Sequence, residues 1–327
     1  MKNLVEKILR NSPDPLNVRK STAVVFNNLA LIKIDINKLA EIAELINQKI
    51  DKKQLLNEEQ FGSSTPSPQL IFVLDTLNFC FWAKKDAEKW TVEYPRGNYI
   101  SNGWFALVTC LDRAQKEGIP ILDADYLKKA TYSDVEYIFR SSNNTQIPLL
   151  DKRVRFLNET GKILIEKYNG DIYNLLASTG LNAGKVAYEV AKNFPSFSDF
   201  SSLDNKERVC FYKRAQIFAY DISLLPELKI KNLESLTAFA DYKIPQTLRA
   251  LGIIEYKSEL ANKVDNYITL KSGCREEIEI RAATIWVCEL LAKELGINPV
   301  LVDNVLWKMS QALKDTKPYH RTLSANY

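Results

Sequence analysis

Histidine is nearly absent from this chain: His320 is the only one in 327 residues. Any mechanism that needs two histidines, a His-rich zinc site among them, is excluded. A Ser-His-Asp arrangement would rest on one residue near the end of the sequence. Cysteine is sparse too. Cys80, Cys110, Cys210, Cys274 and Cys288 are odd in number, widely spaced and without a C-x-x-C pair. That pattern speaks against a disulfide framework or zinc knuckle and for the reduced thiols of a cytosolic protein. No apolar run approaches the roughly 20 residues of a membrane span. The opening MKNLVEKILRNSPDP breaks its short apolar run with charges, unlike a secretion signal, so the cytoplasm is the expected location. Strong charge of one sign is also missing. Forty-four basic against 40 acidic residues leave +4, too little for a nucleic-acid coat but compatible with a local cationic pocket for one phosphate.

Hydrophobic residues make up 46% and charged residues 26%, a globular balance in a chain long enough to bury a full core. Neither a repeat nor a long low-complexity linker divides it, and a single domain over residues 1–327 is expected. The one obvious loop is GSSTPSPQ, Gly62 to Gln69.

Helical signals dominate. Leu39, Ile42, Ala43, Ile46 and Ile50 recur at helix spacing after an Asn37 cap. Trp104 to Glu117 stops at Gly118, with Pro120 just beyond. Ser133 and Glu136 have the spacing of a capping box. Asn182 caps a helix to about Lys192, Arg281 to Leu295 stops at Gly296, and Val300 to Lys314 follows. Strand signals are few; LIFVL, Leu70 to Leu74, reads equally as a buried strand or an apolar helix. The fold class expected is all-α.

Several segments carry residues suited to chemistry. In DTLNFCFW, Asp75 to Trp82, the aromatics suit a buried helix, but Asn78 needs hydrogen-bond partners and Trp82 suits a pocket wall. In YKRAQIFAYD, Tyr212 to Asp221, Lys213 and Arg214 are either a solvated basic pair or a phosphate contact. In FADYKIPQTLRALG, Phe239 to Gly252, Pro245 suits a first helical turn and Gly252 a helix end. Asp241 therefore precedes a helix start, where it is a cap or, desolvated by Phe239 and Tyr242, a stabiliser of an oxocarbenium-like transition state. In VLVDNVLWKMSQALK, Val300 to Lys314, Leu301, Val302, Val305, Met309, Ala312 and Leu313 share one face. Trp307 falls nearly opposite, with Asp303, Ser310 and Lys314 beside it, and either packs on another element or stacks on a base. In PYHRT, Pro318 to Thr322, His320 and Arg321 are structural or close over an anion.

Together DTLNFCFW, YKRAQI, FADYKIPQTLRALGIIEY, EEIEIRAATIW and PYHRT resemble the queuosine salvage protein family, the queuosine 5′-phosphate N-glycosylase/hydrolases, from about Leu70 to Tyr327. The resemblance implies an all-helical fold similar to helix-hairpin-helix DNA glycosylases, although no L-P-G-x-G hairpin is present, which fits a mononucleotide substrate. It implies that Asp241 is the catalytic aspartate, that Phe239 and Ala240 contact substrate, and that Trp307 lies in the site. Tyr242 and Lys308, beside those landmarks, join the candidate contacts. The chain departs from the family pattern after the tryptophan. Aspartates stand there directly and four residues further on, whereas this sequence has Lys308 and Ala312. An early histidine contact also has no counterpart. Asp303, one turn before Trp307, is the candidate partner for the amine of queuine.

The expected reaction is hydrolysis of the N-glycosidic bond, with Asp241 as nucleophile or electrostatic stabiliser. Trp307, Phe239 or Trp82 would stack on the base, and Lys213, Arg321 and His320 would bind the 5′-phosphate. No metal or cofactor is called for, and the expected partner is a small modified nucleotide rather than a nucleic-acid duplex or a membrane. The competing readings are a non-catalytic nucleotide- or RNA-binding module, a DNA-acting glycosylase, which the balanced charge disfavours, and a helical scaffold.

Overall fold

A computed structural model of the chain describes residues 1–50, 61, 66–95, 97, 99–203 and 207–327. The protein is mostly helical. Among the described residues the strands form four short two-stranded ribbons and no larger sheet. Among the described residues no helix is long and apolar enough to cross a membrane, and no cluster of His, Cys, Asp or Glu has the grouping of a metal site. All five cysteines are free thiols, and only Cys274 is not fully buried.

The helix Arg275–Leu295 runs through the centre, buried on all sides from Glu277 to Ala292. The helices Val18–Phe26, Leu39–Lys49, Lys243–Ala250 and Pro299–Ala312 pack around it. Enclosure on every side explains why it lacks a single apolar stripe. It begins six residues before the Arg281 expected from apolar pattern, because its first turn is the charged REE of EEIEI; Glu276 and Glu277 there face the positive end of the helix dipole. Gly296, at φ 66°, ends it as expected.

Other boundaries hold to within a residue or two. Gly103–Lys116 and Ala183–Asn193 are helices, the latter capped by Asn182 accepting from the Lys185 amide at 3.0 Å. Two caps differ from expectation. The capping side chain before Leu39–Lys49 is Asp35, which accepts from the Asn37 amide at 3.1 Å and starts a short 3-10 turn. The capping box lies two residues upstream of the expected pair, at Thr131 and Asp134, each side chain bonded to the other's backbone amide. Ser133 and Glu136 have the right spacing but sit inside the helix Tyr132–Ile138. LIFVL is helical, within Pro68–Leu77, whose start Ser67 caps at 3.2 Å. Of the expected GSSTPSPQ loop, residues 62–65 lie outside the described residues, and Pro68 and Gln69 already belong to that helix.

The core divides into two large buried clusters and a small third around Phe79, Cys80, Trp82 and Ala325, and the FADY segment runs along the seam between the two large ones. Phe239 and Ala240 belong to one cluster; Ala238, Ile244 and Leu248 belong to the other. The helix Pro299–Ala312 is buried on both sides of its axis, Val302 and Leu306 on one cluster and Asp303 and Ser310 away from it. That is why the single stripe expected for it describes only half of its contacts. A parallel ribbon, Thr269 opposite Arg321 and Leu270 opposite Thr322, fastens the PYHRT segment to the body.

Candidate active site

Three segments converge at the seam. The helix Lys213–Asp221 starts where Tyr212, in the left-handed region at φ 48°, turns the chain out of the ribbon Phe200–Leu203/Glu207–Cys210. Tyr212 gives no side-chain cap; Asp199 supplies one, accepting from the Lys213 amide at 3.0 Å. A carboxylate at that position satisfies an orphan donor and opposes the helix dipole. The helix Pro68–Leu77 ends at Asn78, where buried guanidiniums take the loose carbonyls. Arg214 donates to Thr76 at 2.6 Å, and Arg153 donates to Leu77 and to Phe79. Lys213 and Arg214 are thus no solvated pair. Lys213 is 5% exposed, and its ammonium donates to the Asn78 carbonyl at 3.3 Å. Arg214 is structural.

The FADY segment is pinned on two sides. The Phe239 amide donates to Asp303 Oδ2 at 3.0 Å, and the Ala240 carbonyl accepts from Arg281 Nε at 3.1 Å. Asp241 Oδ1 then accepts from the Lys243 and Ile244 amides at 2.7 and 3.0 Å, at the start of the helix Lys243–Ala250. Capping thus occupies one oxygen. Among the described residues no donor is bonded to Oδ2, and Asp241 also lines the cavity beside the helix start. The cap and the site are the same side chain.

Two chambers adjoin there and share Asn78, Trp104, Lys213, Asp241 and Trp307 in their walls. One chamber adds Ile217, Tyr220, Asp221, Phe239, Asp303 and Asn304, and its charged walls are mainly carboxylate. The other adds Lys89, Lys243, Tyr99, Tyr242, Tyr319 and Tyr327, among others, and its charged walls are mainly lysine. The junction therefore places an aspartate, an ammonium and two indoles between fields of opposite sign. Trp307 is also packed against Phe105, ring centroids 5.8 Å apart, so the indole both packs and lines the site.

Burial governs the charges here. It raises the Asp241 carboxyl above its usual range, opposed by the Lys213 ammonium and the two capping amides. It lowers the Lys213 ammonium, opposed by Asp241 and Asp75. Asp303 is pushed up to about 8 by burial and by the nearby Asp241, against the Phe239 amide and Lys213. Asp221 is pushed well up by burial and by Asp75, which lies behind the wall and is itself raised to about 8, chiefly by burial. Lys243 is lowered by burial; Asp241 partly restores it and the neighbouring Lys89 lowers it further.

Of the residues expected from sequence, Asp241, Phe239, Tyr242, Trp307, Lys213, Asn78 and Asp303 line the cavity. Ala240, Lys308, Trp82, His320 and Arg321 are not among its lining residues. Ala240 contributes through its backbone. Trp82 is no pocket wall: it packs with Phe79, Cys80 and Ala325 and donates to the Thr322 carbonyl at 3.2 Å. His320 is buried behind Tyr327, its ring nitrogen 3.2 Å from that hydroxyl. Burial and the Arg281 charge lower its pKa to about 3, so it is neutral and poorly suited to an anion. Arg321 lies over the Tyr267 and Tyr319 rings and donates to the Ala83 carbonyl at 3.1 Å. Tyr319, not Arg321, faces the cavity.

Sequence reasoning missed Tyr220, Asp221, Asn304, Trp104, Lys89 and Lys243. Part of the signal was present: Lys213, Ile217, Tyr220 and Asp221 follow i, i+4, i+7, i+8 spacing, one helical face.

Known proteins resemble this chain over nearly its whole length. A family profile described as queuosine salvage protein matches residues 61–327. A Sphaerobacter thermophilus protein named queuosine 5′-phosphate N-glycosylase/hydrolase is 38% identical over 96% of this chain and 98% of its own. The mouse protein of the same name is 34% identical over 96% of this chain and 99% of its own, and one from Schizosaccharomyces pombe is 27% identical over 86% and 87%. With the profile covering most of its residues and relatives matched almost end to end, this chain belongs to the queuosine salvage protein family.

Proposed function

We propose that the chain hydrolyses the N-glycosidic bond of queuosine 5′-phosphate, releasing queuine and ribose 5-phosphate so that queuine can be reused in tRNA modification. The observation that carries this reading is Asp241, with one carboxylate oxygen anchored and the other open at a junction between acidic and basic chambers. The scissile bond is read at that junction, with the base toward Asp221 and Asp303 and the 5′-phosphate toward Lys89 and Lys243.

In this reading the bond between C1′ and the glycosidic nitrogen breaks, and its electron pair leaves with the base. A 7-deazaguanine lacks the N7 that an acid protonates in ordinary purines, so stabilising positive charge at C1′ matters more. Asp241 is the group for that task, by direct attack or by electrostatics. Water delivers its oxygen to C1′ and its proton to the departing base. Lys213 orients and holds the charge of Asp241, and the indoles of Trp104 and Trp307 flank the reacting sugar and base. Lys89 and Lys243 replace His320 and Arg321 as the phosphate contacts. Two ammoniums facing one space favour an anion between them.

The chain is read as one helical domain, because the cavity draws its walls from Asn78 through Tyr327. A frame like that of helix-hairpin-helix glycosylases is supported by the sequence resemblance and by a carboxylate at a helix start beside a buried lysine. Five free cysteines support a cytoplasmic location. The test is product analysis: the full chain incubated with queuosine 5′-phosphate is expected to yield free queuine and ribose 5-phosphate in equal amounts. Intact nucleotide after prolonged incubation overturns the reading.

A further inference from the structure

The two chambers differ in how they meet solvent. No residue in the wall of the carboxylate chamber is exposed. The lysine chamber is open: Lys89, Tyr99, Asn102, Phe105 and Gln311 stand in its outer wall, and all five are exposed. It is also the larger, about 1060 Å³ against about 630 Å³. A space of that size matches a whole small-molecule site, about 300–1,000 Å³, whereas a ribose phosphate is only part of one nucleotide. The outer wall holds two aromatic rings in solvent, Tyr99 at 79% exposure and Phe105 at 43%. Phe105 packs on Trp307, but among the described residues the Tyr99 ring meets no other ring. The ribbon of Thr91–Glu93 with Ile100–Asn102 carries Lys89 just before one strand and Tyr99 just before the other, so one element supplies both the cation and the free ring. A flat ring at the mouth of a cationic cavity is a platform on which any base can stack.

We infer that the lysine chamber also takes a nucleoside joined to the substrate's 5′-phosphate, so that the chain acts on a dinucleotide whose 3′-terminal nucleoside carries the scissile bond. The inference rests on the reading of the chain as a hydrolase of queuosine 5′-phosphate with the phosphate between Lys89 and Lys243. A phosphodiester there keeps one negative charge for the two ammoniums. Its second ester oxygen leads outward through the exposed wall, and the linked base stacks on Tyr99. The bond change is the one already described. The bond between C1′ and the base nitrogen breaks, its electron pair leaves with the base, and water gives its oxygen to C1′ and a proton to the base. The phosphodiester is untouched. The products are queuine and a dinucleotide with an abasic ribose at its 3′ end.

The experiment incubates the full chain with adenylyl-(3′→5′)-queuosine and, separately, with queuosine 5′-phosphate, and reads the products by mass spectrometry. Queuine and the abasic dinucleotide are expected in equal amounts, and the intact mass of the latter shows that the phosphodiester was not cut first. Tyr99→Ala is expected to lower kcat/KM for the dinucleotide about fivefold or more beyond any loss on the monophosphate, the scale of one stacked base. Turnover of the monophosphate by the variant shows that it folds. If the monophosphate is cleaved but the dinucleotide stays intact, or is cut at less than about a tenth of its kcat/KM, the inference is overturned and the hydrolase reading stands. Cleavage of neither overturns both. An equal loss on the two substrates in Tyr99→Ala removes the stacked base and overturns the inference as well.

Discussion

Arg281 holds Asp199 through both carboxylate oxygens, at 2.8 and 2.6 Å, in the interior of the protein. The pair reaches both sides of the site. Asp199 Oδ2 also accepts from the Lys213 amide, and Arg281 Nε donates to the carbonyl of Ala240, the residue before Asp241. One ion pair therefore sets the distance between the lysine and the aspartate at the junction. EEIEIRAATIW, none of whose residues lines the cavity, is explained by this brace and by its place in the central helix.

Removing Arg281 leaves a buried carboxylate unpaired. Arg281→Leu is expected to lower unfolding free energy by about 3–5 kcal/mol. Arg281→Lys keeps the charge but loses the fork, so it should fold more stably than the leucine variant while turnover drops. Urea denaturation beside a turnover assay checks this; a leucine variant as stable as the unmutated chain contradicts the brace.

Lys243 and Lys89 are expected to act on the phosphate alone. Lys243→Ala should raise KM for queuosine 5′-phosphate roughly tenfold, the loss of one charged contact. KM for the unphosphorylated nucleoside should stay unchanged. Equal effects on both substrates would place the phosphate elsewhere, and a comparable phosphate-specific loss in Arg321→Ala would restore the expectation drawn from sequence.

Trp307 should matter through its flat face. Trp307→Ala is expected to weaken binding of the free base by about 1–3 kcal/mol, and Trp307→Phe by less, since a ring remains to stack. Calorimetric titration with queuine reads this directly. An alanine variant that binds as well as the phenylalanine variant would reduce Trp307 to a packing partner of Phe105.

Buried acids make stability depend on pH in a defined direction. Asp75 titrates near 3.8 when unfolded and at about 8 in the fold, pushed up chiefly by burial. Between those values the folded state holds a proton that the unfolded chain has lost. This group's contribution therefore turns against folding as pH rises through that window. Asp75→Asn, neutral at every pH, should gain on the unmutated chain as pH rises, by up to about 4 kcal/mol more at pH 8.5 than at pH 5. Denaturation at both pH values tests this; an identical offset at the two would mean that Asp75 is ionised in the fold.

What the sequence made legible follows physical lines. Asn182 and Gly296 could be read because a cap or a left-handed stop is a local property. The position of Asp241 at a helix start could be read because Pro245 and the aromatic neighbours lie within a few residues. Ser133 and Glu136 misled because the capping box needs only a spacing, and Thr131 with Asp134 satisfies the same spacing two residues earlier. His320 and Arg321 do not line the cavity for a different reason: which face of a terminal segment looks inward is decided by the Thr269–Leu270 ribbon and by Tyr319 and Tyr327, far from any local pattern. The lysine chamber was illegible because Lys89 and Lys243 are 154 positions apart and meet only through the fold.

The most direct test of the account is a single-turnover assay of queuine release from queuosine 5′-phosphate by the unmutated chain and Asp241→Asn. The asparagine oxygen still accepts from the Lys243 and Ile244 amides, so the helix start and thermal midpoint should be preserved. Losing the negative charge should slow release by about 10²–10³-fold or more. Release at the unmutated rate from a fully folded Asp241→Asn protein would contradict the account.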